Sequence, residues 1–219
     1  NQLIVSANGQ EQVIADVSDA QFTLGNSLIF QVQNLLCATA LAWHMGISNE
    51  AIASSVRSFQ PDIELMPGSC NILHHNGATI LLDSARQVWT VRSLIRGIRG
   101  SAFGRTVVVT DSFPHLDDEQ IHDAGRLIGR VADVVAVQRN EDSDSTLSHF
   151  KEGLANNDVP PLVFAMPSEA EGLDRALKML EPGDLCLVLT QHVAEAVVQI
   201  KQSVREKETS TSGTSHPGK

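Results

Sequence analysis

The 219-residue sequence has few aromatic side chains and no tyrosine, and phenylalanine and tryptophan together make up only 4% of it. It has only three cysteines, Cys37, Cys70 and Cys186, which are far apart and embedded in apolar stretches. An odd number of cysteines without metal-ligand spacing argues against a disulfide scaffold or a zinc site, so we predict buried thiols in a reducing compartment. No apolar run approaches the roughly 20 residues of a membrane span, so no membrane contact is predicted.

Positive charge is scarce as well. The 16 lysines and arginines face 26 acidic residues, which gives a formal net charge of -10. Such a surface repels phosphate backbones and argues against a nucleic-acid partner. The first residues lack the basic start of a signal peptide, which predicts a cytoplasmic protein. Because the first residue is Asn1 and not methionine, we expect the chain to be a piece of a longer protein.

The short motifs that most often identify a site are missing. The sequence contains no G-x-x-x-x-G-K-[ST] loop for a triphosphate and no G-x-G-x-x-G fingerprint for a dinucleotide. It contains no G-x-S-x-G elbow and no H-E-x-x-H pair either. The adjacent His74 and His75 are predicted on a strand, where their side chains point to opposite faces and cannot share one metal ion.

Aliphatic side chains and alanine therefore have to fill the core, which suits helices packed on a parallel sheet. After a hairpin signalled by Asn76-Gly77, between strands at 70–75 and 78–83, helices and apolar strands alternate up to residue 204. The predicted helices are 88–98, 118–131, 145–155, 169–180 and 192–204, and the strands are 106–110, 134–138, 162–165 and 185–189. Ser168 and Glu171 have the spacing of a capping box. This order predicts an α/β fold, a doubly wound and mostly parallel sheet with helices on both faces.

The segment before residue 60 has a different pattern. Two short strands, 3–6 and 12–15, flank a turn signal at Asn8-Gly9, and two helices follow at 28–44 and 49–58. The first helix is apolar on most faces, which predicts burial on more than one side. The proline- and glycine-containing segment 61–68 is predicted as a linker, and the polar tail 205–219 as disordered. The predicted units are therefore 1–60, 61–68, 69–204 and 205–219.

Polar residues follow several predicted strands at their carboxyl ends, where open parallel sheets bind ligands. The segments are 83–87, 110–115, 138–140 and 190–192. Two of them place a carboxylate beside a cation or an amide, as in a pocket for a polar ligand. The alternative is that Asp83 and Asp117 cap the helices that follow them. The residues alone leave both interpretations open.

The ordered segments resemble the C-terminal part of Mur-type ligases, and cyanophycin synthetases in particular. The resemblance covers about Gln21 to Lys201 and rests on five stretches taken together. These stretches are FQVQNLLCATALAWHMGISNEAIASSVRSF, MPGSCNI, ILLDSARQVWTVRSLI, SFPHLDDEQIHDAGRLIGRVADVVAVQ and EPGDLCLVLTQHVAEAVVQI. They are similar to the last helices of a central ATPase domain, to its linker motif P-G-R-x-N, and to the strands and helices of a C-terminal domain.

The resemblance implies an activity and its site residues. Mur-type ligases use ATP and magnesium to activate a carboxylate as an acyl phosphate, which the amine of an amino acid attacks. By position, Asn34 is then expected at the adenine and Asp83 at the ribose of the nucleotide. Arg86 is a further candidate at the nucleotide, where it could supply a missing phosphate contact, and the alternative is a surface arginine at the start of the next helix. Asp111, His115 and Asp117 are expected on the amino-acid side of the cleft. The implied partners are ATP and an amino acid, both brought together by an upstream ATPase domain.

Several positions depart from the family pattern. Ser69 stands where the linker arginine contacts the γ-phosphate, and serine cannot replace a bidentate guanidinium contact. Arg86 and Gln87 replace a His-Asn pair, and Ser84 replaces a tyrosine. We therefore expect no ligase activity from this chain alone. Two further interpretations stay open: a Mur-like domain that has lost catalysis and supports folding or homo-oligomer formation, and a free-standing module for a small anionic ligand.

Overall fold

The computed structural model describes residues 1–7, 9–139 and 144–212. The predicted turn residue Asn8, the loop residue Asn140 and the end of the predicted tail, 213–219, lie outside the described residues. The secondary structure follows the predicted order from the first strand to the last helix.

The N-terminal unit is a hairpin with two helices. Strands β1 (Gln2–Ala7) and β2 (Gln10–Asp16) pair antiparallel, and helices α1 (Ile29–His44) and α2 (Asn49–Ser58) follow two short 3₁₀ turns. Ser48 caps α2, since its hydroxyl accepts a hydrogen bond from the Ala51 amide at 3.2 Å. The small core of this unit consists of ten buried residues, among them Leu3, Ile14, Phe22, Leu35, Ile52 and Val56.

Helix α1 corrects two predictions. Only Leu35 and Thr39 of α1 are fully buried, whereas Ile29 and Leu41 are each 61% exposed. Cys37, predicted as a buried thiol, is exposed, while Cys70 and Cys186 are buried as predicted. An apolar helix surface indicates that something must cover it, but the described chain supplies neighbours on one side only. The other side of α1 therefore presents apolar residues to the surroundings.

The predicted linker is held in place by one buried amide side chain. The Asn71 carboxamide donates hydrogen bonds to the carbonyls of Pro61 and Met66, both at 3.0 Å, and accepts one from the Gly68 amide at 2.7 Å. Gly68 has a φ of 69° and lies against Ser84, so a side chain there would be strained and would clash. The linker is thus a fixed part of the fold.

The C-terminal unit is built on a six-stranded sheet in the order β3-β4-β8-β5-β6-β7. Strand β3 (Asn71–His75) is antiparallel to β4 (Ala78–Asp83), and the remaining pairs are parallel. The other strands are β5 (Thr106–Thr110), β6 (Val134–Gln138), β7 (Leu162–Met166) and β8 (Leu185–Leu189). Asn76 and Gly77 both have positive φ values, 53° and 75°, as the predicted hairpin turn requires.

Helices cover both faces of this sheet, as predicted. Helices α3 (Val88–Arg99), α4 (Asp118–Ile128) and α5 (Asp144–Ala155) pack on the face that carries Val108 and Leu187. Helices α6 (Glu169–Met179) and α7 (Val193–Ser212) pack on the face that carries Val109 and Val188. Because successive strand residues alternate between the faces, the central strands are buried on both sides and apolar throughout.

The last helix extends further than predicted. We expected a helix end at residue 204 and a disordered tail from 205, but α7 continues to Ser212. The residues that follow 204 are Arg205, Glu206, Lys207 and Glu208, whose straight side chains lose little freedom in a helix. The composition that indicates disorder is therefore also one that allows a helix to continue.

Candidate functional site

The sheet has a topological switch at its centre. The chain leaves β4 and β5 towards α3 and α4 on one face, whereas it leaves β8, which lies between these two strands, towards α7 on the opposite face. The loops after β5 and β8 therefore diverge and leave a crevice beyond the carboxyl ends of the strands. Ligands of open α/β sheets bind in such crevices.

A cleft of about 250 Å³ lies beside this crevice, between α6 and α7 at the carboxyl ends of β6 and β8. Its lining includes Glu169 at the start of α6, Thr190 after β8, and His192 and Glu195 at the start of α7. Thr190 is buried, and its hydroxyl accepts a hydrogen bond from the His192 amide at 2.8 Å, which fixes the turn between β8 and α7. The cleft thus brings polar groups from three elements together.

Asp111, one of the predicted substrate residues, lies beside this cleft. Its carboxylate accepts a hydrogen bond from the Phe113 amide at 2.9 Å, and Phe113 takes a φ of 55° to make this turn. Burial raises the pKa of Asp111, although the positive charges of His115, Arg86 and His192 act in the opposite direction. Asp111 is therefore a half-buried carboxyl group within the electrostatic reach of three basic side chains.

Two other predicted residues meet at the same edge. The His115 imidazole Nε2 donates a hydrogen bond to the Arg86 carbonyl oxygen at 2.7 Å, which joins the loop after β5 to the loop after β4. The Arg86 side chain is exposed. Arg86, Asp111 and His115 come from separate segments of the sequence, and the fold brings them together.

Glu169 was missed by the sequence reasoning. Burial raises the pKa of its carboxyl group, the hydrogen bond with Thr190 lowers it, and the nearby charge of Asp111 raises it further. A signal was available, because Glu169 follows the carboxyl end of β7 just as Asp111 follows that of β5. The carboxyl group of Glu169 in the cleft and that of Asp111 beside it therefore interact, with basic side chains around them.

Asp117 lies at the first turn of α4. Its carboxylate accepts a hydrogen bond from the Gln120 amide at 2.9 Å, and the Gln120 side chain reaches back to the Asp117 amide. This reciprocal pair is a capping box, which satisfies two backbone donors at the start of the helix. The helix-capping alternative is thus confirmed for Asp117, and a role in substrate binding stays a prediction.

Asn34 and Asp83 are connected through two other side chains. The Asn34 amide donates to the Gln31 carbonyl oxygen at 3.1 Å, and Gln31 interacts with the Cys70 thiol. Cys70 in turn donates to one oxygen of Asp83 from both its amide, at 3.0 Å, and its thiol, at 3.1 Å. Asp83 does not cap α3, whose first-turn cap is Gln87. The residues expected at the adenine and the ribose therefore lie at the two ends of one polar chain.

A groove of about 490 Å³ begins beside Asn34 and runs between α1 and α2. Apolar residues dominate its lining, with Phe22 and Phe59 at one side and Met66 of the linker at another. The exposed amides of Gln31 and Asn34 provide hydrogen-bonding groups at its edge. An apolar groove with a few amides suits a planar heterocycle better than it suits phosphate groups.

The described residues offer neither a metal-binding cluster nor a membrane-spanning helix. In the described ranges, no three histidine, cysteine, aspartate or glutamate side chains lie close enough to hold a metal ion. None of the described helices is long and apolar enough to span a bilayer.

The fold of the chain is similar to that of solved ligase structures. The chain matches the MurF ligase of Thermotoga maritima, crystallised with ADP, with a TM-score of 0.58 at 13% identity over 81% of this chain and 39% of that one. It matches a folylpolyglutamate synthase of the same organism with a TM-score of 0.57 at 19% identity, over 82% and 41% of the two chains. The chain contains a Mur-type ligase-like domain.

Two curated proteins are similar to this chain in sequence. A cyanophycin synthetase of Geminocystis herdmanii is 22% identical over 181 residues, which are 79% of this chain and 20% of that protein. A UDP-N-acetylmuramoyl-L-alanyl-D-glutamate–2,6-diaminopimelate ligase of Aquifex aeolicus is 21% identical over 73% of this chain and 32% of its own length. No family model matches the sequence. The Mur-like chain thus spans between a fifth and a third of these relatives.

Proposed function

We propose that this chain is the C-terminal portion of an ATP-dependent ligase that joins a carboxylate to the amine of an amino acid. The observation that carries the proposal is the Mur-like arrangement of two units and a fixed linker, which extends over about four-fifths of the chain in the ligases that it matches. The sequence contains no triphosphate loop, so we expect no turnover of ATP by this chain alone.

The crevice between β5 and β8 is the proposed amino-acid site. A free amino acid carries an ammonium group and a carboxylate next to each other. The crevice offers carboxyl groups from Asp111 and Glu169 beside the basic side chains of Arg86, His115 and His192. In this proposal Asp111 holds the ammonium group and His115 faces the carboxylate. Arg86, which the resemblance placed at the nucleotide, is joined to His115 and is assigned to the carboxylate as well. The raised pKa of Glu169 suits it to accept the proton that the amine must lose before it attacks.

The polar chain from Asn34 to Asp83 is the proposed nucleoside site. Asn34 offers an amide to the base at the edge of the groove, and Asp83 offers its second carboxylate oxygen to the ribose. ATP and magnesium would supply the activation of the carboxylate, and the upstream domain would hold the triphosphate. The free cysteines support a location in the reducing cytoplasm.

The proposal is tested by a split of Michaelis constants in the complete gene product. Asp111→Asn is expected to raise the KM for the amino acid at least about tenfold and to leave the KM for ATP unchanged, because it removes the partner of the ammonium group. Asn34→Ala is expected to do the reverse. Asp174→Asn on the exposed face of α6 is the matched control. Equal effects of Asp111→Asn and Asp174→Asn on both constants would contradict the assignment.

Asp117 needs a separate variant because it caps α4. Asp117→Asn preserves the cap, since asparagine is as good at this position as aspartate. A rise in the KM for the amino acid without a change in thermal stability would assign Asp117 to the substrate site. An unchanged KM would leave it with the capping role alone.

The second candidate function is a scaffold domain that has lost catalysis. It is favoured by the exposed apolar residues of α1 and the turn after it, since such a face packs against further protein. Leu36, Trp43, Met45 and Ile47 are all at least 36% exposed. A complete gene product that assembles with other subunits but releases no phosphate from ATP with any amino acid would favour the scaffold over the ligase.

A further inference from the structure

Five of the sixteen basic residues of this acidic chain lie on one surface between two helices. We call it the arginine surface, and it consists of Arg92, Arg96 and Arg99 of α3 with Arg126 of α4 and Arg130 of the turn after α4. These side chains line a groove of about 200 Å³ whose floor is formed by the buried Ile95 and Leu127. The arginine surface does not overlap the crevice beyond the strand ends or the groove between α1 and α2.

The arrangement follows from the helix period. Arg92, Arg96 and Arg99 are spaced by four and three residues, so they share one side of α3. Trp89 lies three residues before Arg92 on the same side and is 69% exposed. At 1.5 Å per residue the stripe from Trp89 to Arg99 is about 15 Å long. Tryptophan and arginine are the residue types most enriched in the energetically dominant contacts of protein interfaces.

A carboxylate already sits at one end of the arginine surface. Asp123 accepts from Arg92 at 2.9 Å and, with its other oxygen, from Arg126 Nε at 3.0 Å. Burial works against the ionised form of Asp123, but the hydrogen bonds and charges of Arg126 and Arg92 lower its pKa overall. Two guanidinium groups thus close on one carboxylate here.

The remaining arginines have not been neutralised in this way. Within the parts of the chain that the structure covers, no ion pair involves Arg96, Arg99 or Arg130. Their side chains are exposed beside the groove, although 26 acidic residues are available in the sequence. The guanidinium fork matches a carboxylate through two parallel hydrogen bonds, which a lysine cannot do.

We propose that the arginine surface binds an acidic polypeptide segment of about five residues, whose carboxylates pair with Arg96, Arg99 and Arg130 and whose apolar side chain packs on Trp89. An extended peptide advances about 3.3 Å per residue, so five residues match the length of the stripe. The Asp123 contacts show that a carboxylate at this surface is held by guanidinium groups, and the incoming carboxylates are held by the other arginines. This binding site is independent of the ligase proposal.

The negative net charge of the protein favours a short acidic peptide over a nucleic acid as the ligand of the arginine surface. A nucleic acid continues its phosphates beyond the 15 Å or so of the stripe, where it meets a protein with a formal charge of -10. A short acidic segment ends where the arginines end. Its binding also weakens with salt, because exposed charges are screened at distances beyond about 10 Å in 0.1 M salt.

The test is fluorescence anisotropy with the full chain and a fluorescein-labelled peptide of alternating glutamate and aspartate around one leucine. Binding is expected at about 50 mM NaCl and is expected to weaken at about 300 mM. The double variant Arg96→Gln/Arg130→Gln is expected to bind at least about tenfold more weakly. The charge-matched control Arg57→Gln/Lys178→Gln, on α2 and α6, is expected to stay within about twofold of the unaltered chain. Thermal melts confirm that all variants fold.

Trp89 provides an independent variant. Trp89→Ala is expected to weaken peptide binding by about tenfold, and Trp89→Phe to retain most of it, because the ring is used as an apolar platform. Three results would overturn the proposal: equal peptide binding by the arginine and control double variants, tighter binding of a labelled oligothymidylate of the same length through the same arginines, or self-association of the chain through these arginines that the peptide does not displace.

Discussion

The two units of the chain bury their apolar residues to very different degrees. All five residues of β5 and all five of β8 are buried, because helices cover both faces of the sheet at these strands. In α1, which is also rich in apolar residues, only two of sixteen residues are buried. The sheet unit thus has helices of its own on both faces, whereas the hairpin unit leaves apolar side chains of α1 exposed.

The contact between the units is specific despite this difference. Leu28, at the start of α1, is fully buried against Gly97 of α3, where a side chain would collide with the Leu28 methyl group. Phe30 packs against the same core. The start of α1 is therefore buried against the sheet unit, and the rest of the helix is not. One apolar helix can thus pack against two different units along its length.

The largest predicted effect comes from truncating leucines in the two regions. Leu187→Ala, at the centre of β8, is expected to lower the free energy of unfolding by about 3 kcal/mol, through lost burial and the cavity that remains. Leu41→Ala on the exposed side of α1 is expected to change it by less than about 0.5 kcal/mol. Urea denaturation followed by circular dichroism measures both. Similar losses for the two variants would show that α1 is buried after all.

A smaller effect is expected at the linker. Asn71→Ala removes three hydrogen bonds and leaves the Gly68 amide and two carbonyls without their partner, which is expected to lower the free energy of unfolding by about 2 kcal/mol. Asn49→Ala serves as the control, since its side chain bonds only to exposed Gln12 in the described structure. Limited proteolysis between residues 61 and 68 is expected to be faster in Asn71→Ala. Unchanged proteolysis would mean that the linker is held by other contacts.

The smallest effect is a pH dependence in the crevice. Burial raises the pKa of Asp111 above its unfolded value, so the native state binds this proton more tightly than the unfolded chain does. The resulting stabilisation is complete below the ordinary carboxyl pKa and is lost as the pH rises through the raised value. Asp111→Asn is therefore expected to gain stability relative to the unaltered chain between about pH 3 and about pH 7. A difference that does not change with pH would contradict the pKa direction.

Sequence patterns predicted the sheet unit more accurately than the hairpin unit. The continuously apolar runs Thr106–Thr110, Val134–Gln138 and Leu185–Leu189 were predicted with their observed bounds, since strands buried on both faces have this pattern. The insertion of β8 between β4 and β5 is a long-range pairing that no local pattern specifies. The predicted burial of α1 and of Cys37 is wrong. The apolar pattern of a helix indicates that it favours packing against another surface, but it does not show whether the described chain provides that surface.

The residues around the crevice were likewise predicted only in part. The fold brings Asp111, His115 and Arg86 to the sheet edge that polar residues after apolar strands indicate, and their roles in binding stay predictions. Glu169 was missed because the loop after β7 was not considered at the same edge. The bonding of Asp83 to Cys70 could not be predicted, since the two residues meet only when β3 and β4 pair in register. Its consequence is that one oxygen of Asp83 is already used.

The most direct test of the ligase proposal is phosphate release from ATP in the presence of single amino acids, measured for the complete gene product and for this chain alone. We expect amino-acid-dependent phosphate release with a new amide bond from the complete product, and none from the chain alone. Phosphate release by the chain alone, or none by a folded complete product with any amino acid, would contradict the proposal.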